Sequence, residues 1–276
     1  MFSSTRGGLA KPLGFEEAVL SGWAPDGGML LPTAATVRGI RERMPDLLCK
    51  WHGARLGFAG CVTEVLLLFS GDSLARDDME ELVHRSLAPP SFDCREVVRL
   101  RTGVKIDGDK NSPAIDVCEL WHGPTLAFKD LGLQVLCSLL SFFLSRSSSS
   151  GASPRRQTLL VGTSGDTGSA AIEAVVNAVR KQGAEACLDI VCLYPIGGRC
   201  SPVQERQMLL PAVLSKERGD EERGTGVVHL IGVDGTSDDL DVPMEAVFND
   251  AAFKREHSVG TVNSVNIVRL IVQSAL

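Results

Sequence analysis

Residues 158–182 read TLLVGTSGDTGSAAIEAVVNAVRKQ, and the fold follows from how they are divided. TLLVG (158–162) is a short aliphatic run, the pattern of a strand buried on both faces. TSGDTG interrupts it with turn residues, and SAAIEAVVNAVRKQ (169–182) is helical in pattern and ends at Gly183. LDIVCLYP (188–195) is a second buried strand. Strand, glycine loop, helix and strand in that order form a βαβ unit, which requires a parallel pair. VVHLIGVDG (227–235) followed by SDDLDVPMEAVFNDAAF (237–253) repeats the strand–helix alternation. The class is therefore α/β, a parallel sheet with helices.

The loop between the first strand and its helix carries the first chemical signal. Gly162, Gly165 and Gly168 let the backbone turn tightly and approach a ligand closely. The helix that starts there directs free N–H groups and the positive end of its dipole at a carboxylate or phosphate. Thr163, Ser164 and Thr167 offer hydroxyl donors, whereas Asp166 would repel an anion unless it faces elsewhere. No Gly-Lys-Ser/Thr follows, and the glycines do not fall in the GxGxxG spacing, so neither nucleotide fingerprint applies. The plain alternative is a tight βα turn with a hydroxyl capping the helix.

Upstream, ELWHGPTLAFKDLGLQ (119–134) sets one amine, Lys129, in a largely apolar stretch. A lysine there can snorkel its ammonium to water. The functional alternative is an amine shielded from solvent and available for Schiff-base chemistry. Gly123-Pro124-Thr125 predicts a turn and helix start that puts Phe128 and Lys129 in the first helical turn, at a pocket. Asp130 is adjacent to the amine in sequence but points another way on a helix.

Further out, FEEAVLSG (15–22) is helix-like and APDGGMLLP (24–32) is a turn leading to a short strand. SLARDDMEELVHRSL (73–87) has Asp77 and Asp78 near its start and His84 and Arg85 near its end, the order the helix dipole favours. REVVRL and VKIDGDKNSPAIDVCELW predict a β-hairpin or two short strands about a DGDKNSP turn. SRSSSSGASPRRQ (145–157) has a loop composition. The chain's 276 residues, 44% hydrophobic and 22% charged, suit a globular protein with a sizeable core. A net charge of −6 disfavours non-specific binding to nucleic acid or an anionic membrane, so no partner of either kind is expected. Eight cysteines without a CxxC pair and five scattered histidines argue for reduced thiols and no metal site. The amino terminus lacks a secretory hydrophobic region and contains two glutamates, and 131–144 is too short to span a bilayer. A soluble, intracellular protein is expected, cytoplasmic with an organelle left open.

Taken together, HGPTLAFKD and TSGDTGSAAIEA resemble the threonine synthase family. STRGG with FEEAVLSGWAPDGGMLLP, YPIGGRCSPVQERQM (194–208), GVDGTSDDLDVPMEAVFND (232–250) and VGTVNSVNIVRLIVQ (259–273) resemble later and earlier blocks of that family in order. The wording is most similar to its threonine synthase-like 2, or phospho-lyase, branch. The resemblance implies a fold-type-II, tryptophan synthase β-like enzyme dependent on pyridoxal 5'-phosphate. It implies that Lys129 holds the cofactor as a Schiff base and later moves protons, with Phe128 beside the ring. Asp166 then faces the cofactor's ring hydroxyl, while Thr163, Ser164, Gly165, Thr167 and Gly168 bind the substrate carboxylate. Asn263 is implied at the cofactor, and Ser264 and Asn266 at the substrate. Arg199, Ser201 and Gln204 are candidates for lining the cleft, with an ordinary surface loop as the alternative.

The domains implied are a mainly helical unit (1–95), a partial larger cofactor-binding domain (96–145 and 254–276), and a smaller α/β domain (156–253). The implied substrate is O-phosphohomoserine or a related phosphorylated hydroxy-amino acid, and a homodimer is compatible with the family. The products are a 2-oxo acid, ammonia and phosphate, or threonine if water adds at the β carbon. A truncated, non-catalytic product is a further alternative. The family's C-terminal portion, with the glycine-rich loop that holds the cofactor phosphate, is expected to lie beyond this sequence, which ends within a helical pattern at 262–276.

Overall fold

The structure, a computed structural model, describes residues 1–93, 96–105, 113–148, 156–182, 188–217 and 228–261. At its start β1 (Phe2–Ser4) pairs antiparallel with β2 (Leu30–Pro32), with α1 (Phe15–Ser21) between them in the chain. Asp26 fastens this ribbon: its carboxylate accepts from Ser4 Oγ at 2.7 Å, Gly8 N at 2.7 Å and Gly28 N at 2.9 Å. These bonds, that of Ser4 foremost, hold its carboxyl below the usual carboxylate range.

Three helices follow, α2 (Ala34–Ala54), α3 (Phe58–Ser70) and α4 (Arg76–Leu87), and α4 has its acidic and basic ends as the dipole argument expects. β3 (Arg99–Val104) and β4 (Ile115–Glu119) pair antiparallel, the hairpin alternative of the two read from the sequence, while residues 107–112 of the expected DGDKNSP turn lie outside the described residues. Next, α5 (Asp130–Ser148) buries Leu131, Leu133, Val135, Leu136, Leu139, Leu140 and Phe143 almost completely. Each such side chain contributes roughly 1.5–3 kcal/mol relative to exposure, which explains why the most apolar window of the chain is a central core helix.

The sheet consists of β5 (Gln157–Gly162), β6 (Leu188–Pro195), β7 (Val228–Val233) and β8 (Val259–Thr261), all parallel, in the order β7-β6-β5-β8. The βαβ unit is therefore present, with α6 (Asp166–Gln182) between β5 and β6 and α7 (Pro202–Glu217) between β6 and β7. Alternation along the strands separates two faces. Leu159, Val161, Ile190 and Cys192 join α4, α5 and α6 in the large core that begins at Phe2. Leu160 and Leu193 point to the opposite face, against Leu240 and Met244. The chain winds outward from β5 through β6 to β7 and then returns to the far side of β5. The strand order thus reverses beside β5, and such a switch point opens a crevice at the carboxyl ends of the strands.

Two expectations are corrected. The helix expected over 237–253 is broken into α8 (Asp241–Asn249) and α9 (Ala251–Glu256). Asp250 causes the break, because its carboxylate accepts from Ala252 N and Phe253 N and caps α9. The segment after β6, for which a surface loop was one reading, becomes α7 from Pro202, with Ser201 as its cap and proline at the first helical position. Six described cysteines are free, and burial pushes the Cys137 and Cys192 thiols up to about 12; Cys94 and Cys187 lie outside the described residues. Among the described residues no helix is long and apolar enough to cross a membrane, and no cluster of three His, Cys, Asp or Glu could hold a metal.

Candidate active site

Lys129 sits on a turn rather than in a helix, because α5 begins only at Asp130. Asp130 closes that turn. Its fully buried carboxylate accepts from Thr125 N at 2.9 Å and Thr125 Oγ1 at 2.8 Å, so it faces away from the amine. Burial raises the Asp130 carboxyl and the two Thr125 bonds oppose the rise. A Cβ on Gly123 would stand 2.4 Å from the Asp130 Cβ, so only glycine permits this closure. Leu126 takes φ 61° on the exposed side of the turn.

Below the turn, the buried Glu119 accepts from Arg101 Nε at 2.7 Å and lies 2.9 Å from His122 Nε2. His122 Nδ1 lies 3.1 Å from Asp93 Oδ1. The guanidinium first and the imidazole second hold the Glu119 carboxyl below its ordinary range. This charged cluster anchors the end of β4 from which the lysine turn departs. The sequence reading passed over it because its members are separated by up to 29 residues.

The glycine loop follows β5 at the switch point. Thr163 N is bound to Leu193 O on the neighbouring strand. The Thr163 side chain is buried, and its hydroxyl donates to Gly165 O at 2.9 Å while accepting from Gly165 N and Gly168 N, each at 3.1 Å. That hydroxyl is used up within the loop, which corrects its reading as a ligand donor: Thr163 shapes the loop. Gly168 is likewise buried, and a Cβ there would meet Thr163 Cγ2 at 2.3 Å, Met208 Sδ at 2.8 Å and Cys192 Sγ at 3.0 Å. Its lack of a side chain lets α6 pack closely on the sheet and on α7. Ser164, Gly165, Asp166 and Thr167 form the accessible rim.

These two loops meet. Lys129 Nζ donates to Asp166 Oδ1 at 2.7 Å, across 37 residues of sequence, with the amine 24% and the carboxylate 38% exposed. The same amine lies 4.5 Å from the centre of the half-exposed Phe128 ring. The ammonium is therefore directed at a carboxylate of the opposite loop and is not extended into water. Asp166 is turned to the amine, and of the first-turn N–H groups of α6 that of Gly168 is already taken by Thr163 Oγ1, so an anion would be met by the N–H groups ahead of it.

Of the other candidates, Gln204 lies against Gly165, with its Nε2 3.4 Å from where a Cβ would be. Ser201 donates to Gln204 Oε1 at 2.9 Å. Arg199 turns away to Ile196 O and Asp234 Oδ1, each at 3.2 Å. Asn263, Ser264 and Asn266 lie outside the described residues.

Comparison with known proteins adds to this geometry. Residues 1–87 match the family model described as threonine synthase N terminus. The chain is 39% identical to human threonine synthase-like 2, over 99% of this chain and 48% of that protein. It is 34% identical to threonine synthase from Saccharomyces cerevisiae, again over 99% of this chain and 48% of that protein. The crystal structure of the yeast threonine synthase superposes with a TM-score of 0.73 at 31% identity, covering 99% of this chain and 48% of that one. The threonine synthase of Brucella melitensis, solved with PLP bound, gives 0.65 at 33%, covering 97% and 48%. The chain spans about half the length of the curated relatives it matches.

Proposed function

We propose that the chain is a member of the threonine synthase family and serves a pyridoxal 5'-phosphate-dependent phospho-lyase acting on O-phosphohomoserine or a related phosphorylated hydroxy-amino acid. The observation that carries this reading is the contact of Lys129 with Asp166 at the mouth of the glycine loop. The proposal includes the fold-type-II assignment, with 1–95 as the N-terminal unit, 96–145 and 254–276 as part of the larger cofactor domain, and 156–253 as the smaller domain.

The donor set fits the carbonyl-bearing side of such a cofactor. A partly accessible amine, a half-exposed aromatic face 4.5 Å from it, and a carboxylate suited to a ring hydroxyl stand together. Pyridoxal phosphate, when bound, supplies an electron sink for charge developing on the amino acid. Lys129 is the group to hold it and to carry the proton at the substrate α carbon. Asp166 retains the amine beside the glycine loop when it is charged, and the N–H groups at the start of α6 orient the carboxylate. Phe128 covers one side of the amine and limits its contact with water.

A second reading, threonine formation by addition of water at the β carbon, is favoured by the similarity to fungal proteins named threonine synthase at 34–36% identity. Both readings are tested by adding pyridoxal phosphate to the chain, reducing with borohydride and locating the adduct by mass spectrometry. Stoichiometric attachment at Lys129, abolished in Lys129→Ala, is the expected result, and its absence at saturating cofactor would leave a non-catalytic product. Phosphate release from O-phosphohomoserine accompanied by a 2-oxo acid identifies the lyase, and accompanied by threonine the synthase.

A further inference from the structure

The turn that carries Lys129 is held from outside by very few polar contacts. Among the described residues, the hydrogen bonds that tie residues 123–129 to elements beyond the turn and its own helix are two. One is Lys129 to Asp166, and the other is Gln207 Nε2 to Thr125 O at 3.1 Å. The outer part of the turn gains little from burial, since Leu126 is 65% and Phe128 42% exposed. Thr125, by contrast, is buried and clamped at both its N–H and its hydroxyl by Asp130, the residue after Lys129. A pull on Thr125 O is therefore passed through Asp130 to the base of the lysine.

Gln207 occupies α7, and α7 is keyed to the opposite loop. Met208, fully buried, packs into the space that Gly168 leaves open, and Gln204 lies on Gly165. One helix thus touches both halves of the site, the glycine loop through Gln204 and Met208 and the lysine turn through Gln207.

We propose that Gln207 is a positioning residue that sets Lys129 against Asp166 by holding Thr125 from α7. The inference rests on the reading of Lys129 as the reactive amine. With the amide donor removed, the turn loses its tie to α7, the amine spends less time on Asp166, and it becomes more accessible to an electrophile.

Trace labelling of the full chain with acetic anhydride, read by peptide mass spectrometry and normalised to the exposed Lys11, measures this without any cofactor. Gln207→Met keeps the length and removes the donor, and we expect Lys129 labelling to rise roughly fivefold, the equilibrium counterpart of one hydrogen bond. Gln207→Lys restores a donor and should bring labelling back towards wild type. Thermal unfolding of the same samples separates a purely structural role, which lowers the melting temperature without changing the labelling ratio. Gln207→Glu keeps the shape and lacks the donor, so it decides the matter if Gln207→Met does not fold. A ratio within about twofold of wild type in a folded donor-less variant overturns the proposal. Failure of pyridoxal phosphate to attach to wild-type Lys129 overturns the proposed function instead, and the labelling ratio still reads the role of Gln207.

Discussion

Lys129 shows how far single residues can be read. Its apolar neighbours fit a snorkelling side chain as well as a reactive amine, and spacing could not choose because the partner, Asp166, is 37 positions away. The negative charge of Asp166 in an anion-facing loop was the legible anomaly, and the ion pair accounts for it. Thr163 and Gly168 were legible as important but not in their roles: the threonine hydroxyl is spent on the loop backbone, and the glycine makes room for Met208 and Cys192. Gly168→Ala is therefore expected to destabilise the protein by about 1–3 kcal/mol through overpacking, exceeding the ~1 kcal/mol that alanine gains over glycine in a helix. Urea denaturation checks this, and a variant as stable as wild type would mean that α7 yields at no cost.

At the scale of elements, hydrophobic periodicity located α1, α4 and α6 and the strands β5, β6 and β7 of the parallel sheet, but not the short β8. It failed where a polar side chain competes with the helix. Asp250 lies in a continuous helical pattern, yet its carboxylate takes the N–H groups of Ala252 and Phe253 and starts a new helix. Replacing it, Asp250→Ala, should cost on the order of 1 kcal/mol, confined to α9. Hydrogen exchange at Ala252 and Phe253 should quicken while the amides of α5 remain as protected as before. Equal quickening in both helices would show that α9 does not open by itself. The place of α7 was hidden for another reason: Gln207 and Thr125 are 82 residues apart, and nothing in either local pattern points to the other.

For the whole molecule, the α/β class and parallel sheet could be read from the alternation of strands and helices, whereas the strand order could not. It depends on β8 returning to the far side of β5, a choice that local sequence does not encode. The balance of charge across the molecule also has a readable consequence. Arg76, by hydrogen bond and by charge, holds the Glu64 carboxyl below its ordinary value, and Trp51 adds a further bond. A carboxyl lowered in the folded state contributes stability that is present above its unfolded value and lost as pH falls through the folded one. Glu64→Gln should accordingly weaken the protein near neutrality by about 1 kcal/mol or less, the modest size reflecting a half-exposed arginine. The difference from wild type should shrink on acidification. A difference that grows towards low pH would contradict this sign.

The pairing of β5 with β6 does more than build a sheet. Gly162 is matched to Leu193, and the next amide, Thr163 N, is bound to Leu193 O, so the ladder runs without interruption into the first residue of the glycine loop. A slip of one residue would turn Leu159 and Val161 out of the large core and bring Leu160 into it. It would also detach the loop from its anchor and move Asp166 away from Lys129. Misregistered molecules would thus be poorly packed and would also lack the Lys129–Asp166 pair, so the sheet acts as a proofreader of that geometry. A chain that has passed that inspection already carries its amine and carboxylate in apposition.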